Sequence, residues 1–303
     1  MESILLYHCR ALLMDEENTL LDPAYVVVEG ERIAAVSSTR PQGPFAQEID
    51  CGGNVLMPGL VNAHTHIPMT LMRGYAGGCD LHTWLNDWIF PAEAKLDDRA
   101  VRAGADLALA ELIAGGVTTI ADMYMHTPAI AQAVLAAGIS ANLSCGGVYF
   151  GAPGDFSPAA CPDCDHQRQL TEEFHEAGNG QILVDASIHG EYTSNVPLWQ
   201  WMADYAQRKG LGMHVHVSET QSEHQASLER WGKTPIQALD GCGVWDCGRS
   251  LAAHCVYTTE EDWALMAEKG ISCVHNPWSN LKLGSGVAPI PAMMRAGVNV
   301  ALG

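Results

Sequence analysis

The sequence predicts an α/β chain: a (β/α)8 TIM-type barrel preceded by a short all-β segment. Three observations predict it. Residues 1–57 carry only short β-rich runs separated by turn residues. From residue 58 to 303, eight apolar strands alternate with amphipathic helical stretches, the count of a closed parallel barrel. Histidines gather at the carboxyl ends of those strands, where a barrel of this kind keeps its chemistry.

The amino-terminal runs are ILLYHCRALLM, AYVVVEG and RIAAVSS, with EGER as the turn between the last two and TRPQGPF after them. The barrel strands are VLMPGLVNAHTH, VTTIADMY, ISANLSCGGVY, ILVDASIHGEY, LGMHVHVSET, SLAAHCVY, GISCVHNPW and VNVALG. Between them DDRAVRAGADLALAELIAGG reads as a helix stopped by Gly115 and Gly116, and VPLWQWMADYAQRKG as one stopped by Gly210. TTEEDWALMAEKG and PIPAMMRAG are the later helical patterns. Strands apolar on both faces with helices between them pair in parallel. The alternative, an open doubly wound sheet, would need a glycine-rich turn after its first strand, and none is present.

Composition narrows the partners. Thirty-five acidic against 16 basic side chains give a formal charge of -19, which repels phosphate backbones and anionic lipid, so neither nucleic acid nor membrane is expected. The start has no basic n-region and no long apolar h-region, and no apolar run approaches the roughly 20 residues of a membrane span. Ten cysteines without regular spacing suit reduced thiols, hence a cytoplasmic location. CPDC (residues 161–164) is a lone pair, read as a loop thiol pair; it precedes His189-Gly190-Glu191 and lacks the leading proline of a small zinc-deaminase motif.

LMPGLVNAHTHIPM (residues 56–69) places His64 and His66 two apart at a strand exit, so both side chains point to one face. Neutral imidazole suits zinc and iron(II), and two converging rings make half of a metal site. HVHVSET repeats the pattern with His214 and His216. The later residue is nearer the mouth, so His216 is the expected ligand and His214 packs inside the barrel. Glu219, three residues on, is positioned to move protons for an attacking water; an ordinary helix-start carboxylate is the blander reading. His254 ends the sixth strand in AAHCV, as a fourth ligand or as a group holding that water. His189 and His275 end the fourth and seventh strands. No lysine ends the fourth strand, and Lys282 follows the seventh, so one metal ion is expected rather than two.

PGLVNAHTHIPMTLMRG, HVSET, AAHCV and HNPWSNLKLGSG together resemble the amidohydrolase superfamily, in the branch of the S-adenosylhomocysteine and methylthioadenosine deaminases. Chlorohydrolases and guanine deaminases are cousins. The resemblance implies that residues 58–303 form the metal-dependent barrel and that residues 1–57 are strands of its small β-sandwich domain. It implies one divalent ion, zinc first and iron as the alternative, held by His64, His66 and His216, with Glu219 and His254 as the catalytic pair. An aspartate would follow a segment like VALG, and here the sequence stops. The expectation is therefore a fragment, with the carboxyl-terminal parts of both barrel and sandwich outside it.

For substrate, the resemblance assigns Glu93 to ribose hydroxyls, His189 to the nucleoside and Trp84 to stacking on a purine. A carboxylate accepts readily from a vicinal diol; the blander readings are a helix-start carboxylate beside Pro91 and a core tryptophan. Some members of this branch use arginines in the loop after the third strand; here VYFGAPGDFSPAACPDCDH carries none before Arg168, so the resemblance favours a small 5′ substituent over the carboxylate-bearing S-adenosylhomocysteine. The implied reaction is hydrolytic deamination of 5′-methylthioadenosine, S-adenosylhomocysteine, 5′-deoxyadenosine or adenosine to the inosine analogue. The rivals are a chlorohydrolase or guanine-type deaminase of the same fold, and a non-catalytic metal-dependent binder. The expected partner is the purine nucleoside itself, with a homo-oligomer left open.

Overall fold

The computed structural model describes residues 3–303. They divide into two compact units, one running to Leu60 and the other spanning Val61–Gly303.

The first unit is one five-stranded sheet. Strands β1 (Ser3–Leu12), β2 (Leu20–Glu29) and β3 (Arg32–Ser37) form an antiparallel meander, and Gly30 supplies the positive φ its tight turn requires. Strands β4 (Gln47–Asp50) and β5 (Val55–Leu56) then run parallel to β1. Cys9, Ala11 and Ala24 pack as one buried cluster, and Leu5, Val26 and Val27 are buried as well. The sequence expectation of one unbroken strand across residues 55–66 is corrected here: Val55–Leu56 belongs to this sheet. Pro58 has no N–H to offer a ladder, so the chain leaves one sheet before it and enters the next after it.

The second unit is the barrel. Its staves are β6 (Leu60–Thr65), β7 (Val117–Met123), β8 (Ser140–Ser144), β9 (Ile182–Val184) with β10 (Ala186–Gly190), β11 (Met213–Val217), β12 (Ser250–His254), β13 (Ile271–His275) and β14 (Val300–Leu302). They pair as two arcs, β6 to β9 and β10 to β14. From β7 to β9 and from β10 to β14 the ladders are parallel. β9 and β10 are two halves of the fourth stave, broken at Asp185. That buried carboxylate accepts from the Gly212 N–H at 2.9 Å and from Arg249 at 3.0 Å. A parallel bridge from Gly147 to Ile188 joins the arcs. The ring closes by contact: a Cβ added to Gly303 would stand 2.8 Å from the His64 carbonyl oxygen.

Helices pack where the sequence places them. Asp97 caps Asp98–Ala114, whose stop at Gly116 takes φ 82. Gly210 ends Val196–Lys209 with φ 68. Thr259 and Asp262 form a reciprocal capping box at the head of Glu260–Lys269. The CPDC pair, expected in a loop, instead heads the helix Pro162–Phe174, because proline at the first helical position starts a helix readily. All ten cysteines are free. Among the described residues no helix is long and apolar enough to cross a membrane.

Candidate metal centre

A cavity of about 1220 Å³ opens over the carboxyl ends of the staves. All eight singled-out side chains line it: His64, His66, His216, Glu219, His254, His189, Glu93 and Trp84. His275 does not, although it also ends a strand; Asn276, the next residue, takes the cavity-facing place. The alternation of a strand decides this, since neighbouring side chains point to opposite faces.

At the cavity floor His64, His66 and His216 each offer a ring nitrogen, all within 4.8 Å of one another. His66 and His216 are each oriented by a backbone carbonyl. Nδ1 of His66 donates to the Met123 oxygen at 2.5 Å, and Nδ1 of His216 to the His189 oxygen at 2.6 Å. A carbonyl only accepts, so both rings carry their proton on Nδ1 and leave Nε2 bare. Those two Nε2 atoms stand 3.3 Å apart. Two lone pairs at that distance repel unless a cation lies against both. Two imidazoles of this polarity, with a ring nitrogen of His64 converging on them, fit a divalent metal ion.

Burial reinforces the assignment of charge. It holds the rings neutral, His66, His189 and His254 down to about 4 and His64 and His216 well below the ordinary range, with neighbouring imidazoles acting in the same direction for most of them. Neutral imidazole is the form that ligates a metal. His214 is buried behind this group, its Nε2 2.8 Å from Nδ1 of His64.

Beside the three rings sit Glu219 and His254, with Oε1 and Nδ1 3.6 Å apart. Burial pushes the Glu219 carboxyl up to about 7, opposed by the Ser285 hydroxyl that donates to it at 3.3 Å. Nδ1 of His254 donates to Asn280 Oδ1 at 2.7 Å, which leaves its Nε2 free. Glu223 holds the turn beneath: its two oxygens accept the N–H groups of Ser218 and Glu219 at 2.8 and 2.7 Å, with Ser218 at φ 50. Asn280, Ser285 and Glu223 escape a reading from sequence. HNPWSNLKLGSG carries part of the family resemblance, but the string gives no role to Asn280 or Ser285, and only folding brings them across to the sixth and fifth staves.

Further up the wall, Glu93 ends the short helix Phe90–Glu93 and is buried. Burial raises its pKa, and the Tyr124 hydroxyl beside it acts in the opposite direction. Trp84 begins the neighbouring turn, Trp84–Ile89, with its Nε1 buried and without a hydrogen-bond partner. The His189 ring packs 4.8 Å from that of His216, with Nδ1 3.1 Å from the Thr193 hydroxyl.

Residues 55–303 match the model of the amidohydrolase family. The chain is 41% identical over 278 residues to a 5-methylthioadenosine/S-adenosylhomocysteine deaminase of Desulfitobacterium hafniense, covering 92% of this chain and 62% of that one. It is 39% identical over 278 residues to a 5′-deoxyadenosine deaminase of Methanothermobacter thermautotrophicus, covering 92% and 64%. It thus spans a little under two thirds of the length of these relatives. Among solved structures, an adenosine deaminase from Xanthomonas campestris with bound zinc is 32% identical, superposes with a TM-score of 0.87 and is covered over 68% of its length by 99% of this chain. A guanine deaminase from C. acetobutylicum shares the fold at 23% identity, with a TM-score of 0.90 over 100% of this chain and 74% of that one.

Proposed function

The chain belongs to the amidohydrolase family, and from that premise we propose that it is a metal-dependent deaminase converting an adenosine-type nucleoside to its inosine analogue and ammonia. The observation that carries this reading is the Glu219–His254 pair, 3.6 Å apart, set beside three imidazoles whose ring nitrogens converge. Relatives named for 5-methylthioadenosine, S-adenosylhomocysteine and 5′-deoxyadenosine support the substrate class, as does the adenosine deaminase structure.

His64, His66 and His216 would hold one divalent ion, zinc in preference to iron. When bound, such an ion lowers the pKa of water from about 15.7 towards 7 and so supplies a nucleophile at neutral pH. The chain's own residues supply the proton chemistry. Glu219, with its carboxyl near 7, can be protonated at neutral pH and hands that proton to ring N1 of adenine, which makes C6 electrophilic. Nε2 of His254 is free to take the proton of the attacking water, and Asn280 keeps the ring turned for it. Return of a proton to the exocyclic nitrogen lets ammonia leave. Glu93 receives the ribose diol, with Trp84 and His189 flanking the nucleoside.

In this reading residues 58–303 are the hydrolase barrel and residues 1–57 the amino-terminal part of a small β-sandwich domain, a division supported by the two compact units that part after Leu60. Ten free cysteines favour a reducing, cytoplasmic setting. The loop after β8 carries no arginine before Arg168, so small 5′ substituents should outrun S-adenosylhomocysteine. The test is to follow the ultraviolet change from adenine to hypoxanthine with zinc-loaded protein and each nucleoside. The reading predicts turnover of 5′-deoxyadenosine and 5′-methylthioadenosine. Ammonia from guanine alone, or chloride from a chlorinated triazine with adenosines inert, would reject it.

A further inference from the structure

The three converging imidazoles do not share one anchoring scheme. His66 and His216 each face a carbonyl oxygen, an acceptor with no alternative, so their tautomer is set locally. His64 faces another imidazole instead, with its Nδ1 2.8 Å from Nε2 of His214. That contact by itself runs either way. If His214 donated, the His64 proton would move to Nε2 and the ring could no longer offer a lone pair to the site.

What lies behind His214 decides the direction. Its Nδ1 is 3.4 Å from the Ser144 hydroxyl, and that hydroxyl donates to the Asp122 carbonyl oxygen at 3.2 Å. The chain of contacts therefore ends on a pure acceptor. Ser144 spends its proton there and presents a lone pair to Nδ1–H of His214, which leaves Nε2 of His214 bare to accept from Nδ1–H of His64. His64, His214 and Ser144 are all buried, so water offers no competing partner.

We propose that His214 is a positioning residue for the metal centre: the relay His64–His214–Ser144–Asp122 carbonyl holds His64 in the tautomer that exposes Nε2. This goes beyond His214 as core packing, and it rests on His64 being a metal ligand. The three ligand rings then reach one polarity by two routes, two direct and one relayed across staves β6, β11, β8 and β7. Partners of this kind are worth about 10–100-fold in metal affinity.

Two readouts test it. In the metal-free chain, histidine nitrogen–proton correlation spectra should show His64 protonated on Nδ1 and bare on Nε2; the opposite tautomer overturns the proposal whatever the protein's activity. Zinc affinity, measured by competition with a chelator, should fall about 10–100-fold in His214→Leu. His214→Gln puts an acceptor oxygen near the place of Nε2 and should stay within a few-fold of the parent. Equal loss in Leu and Gln variants that both melt cooperatively would mean packing, not hydrogen-bond polarity, and would overturn it. Should His214→Leu fail to fold, Ser144→Ala takes its place: it should raise the share of His64 protonated on Nε2, and an unchanged tautomer overturns the proposal. If the parent chain takes no zinc while its His64 tautomer is as expected, the ligand reading fails and the relay stands.

Discussion

Glu219 and Glu223 lie four residues apart in one turn, and their surroundings assign them different work. Both are raised by burial, to about 7 and about 8. Glu223 spends both oxygens on backbone N–H groups, whereas Glu219 faces the cavity with one oxygen near His254. Glu219→Gln removes the titrating proton and keeps the shape, so turnover should fall about 10²–10⁴-fold while chelator competition finds zinc affinity unchanged; retained turnover would remove Glu219 from the chemistry. Glu93→Gln should raise KM for nucleosides by about tenfold, the loss of roughly one charged hydrogen bond, and leave the free base adenine unaffected. Equal effects on base and nucleoside would detach Glu93 from ribose. Asp122 offers a pH test. Burial lifts its carboxyl to about 7, against an ordinary value near 4. The folded state then keeps a proton the unfolded chain has released, so this contribution is full below about pH 4 and is lost as pH rises toward 7. Melting the metal-free Asp122→Asn variant across that window should show a flatter decline than the parent.

The turn Ile67–Met72, which follows His66, is held at the scale of elements by the helix Asp98–Ala114. The Thr70 hydroxyl donates to the Gly104 carbonyl at 2.7 Å, and a Cβ at Gly104 would meet the Pro68 oxygen at 2.5 Å. Glycine is required there because backbone packs on backbone. Gly104→Ala should cost about 1–3 kcal/mol in denaturant unfolding, the cost of overfilling a packed contact, with metal affinity reduced as His66 shifts. An unchanged midpoint would show that the helix yields without strain. The elements themselves were readable from periodicity and glycine stops, as at Gly116 and Gly210. Their breaks were less so: Pro58 splits the first apolar run between two sheets, and the fourth stave divides at Asp185, where its ladder passes from β8 to β11, which no alternation pattern carries.

For the molecule as a whole, the closed ring makes the centre a joint product of distant segments. His64 and His216 are 152 positions apart and offer ligand atoms within 4.8 Å. An ion bound there links staves one and five, so it should stabilise the fold by mass action. At zinc concentrations a hundred times Kd the gain is about 2.7 kcal/mol. Thermal scans with and without zinc should show the melting point rising with concentration, and a chelator should reverse it. A melting point indifferent to zinc would deny the three rings their common ion.

Local chemistry sufficed for much of this. The alternation of strand and helix, the paired histidines two apart and the glutamate three beyond His216 are short-range patterns, and short-range patterns survive in a linear string. Only the folded barrel decided which nitrogen of each ring faces the centre, that His275 turns away while Asn276 faces in, and that Asn280, Ser285 and Ser144 reach across staves to hold their partners. Hydrogen-bond direction depends on which acceptor lies opposite. That neighbour is set by ring closure between residues far apart in sequence, which no local pattern records.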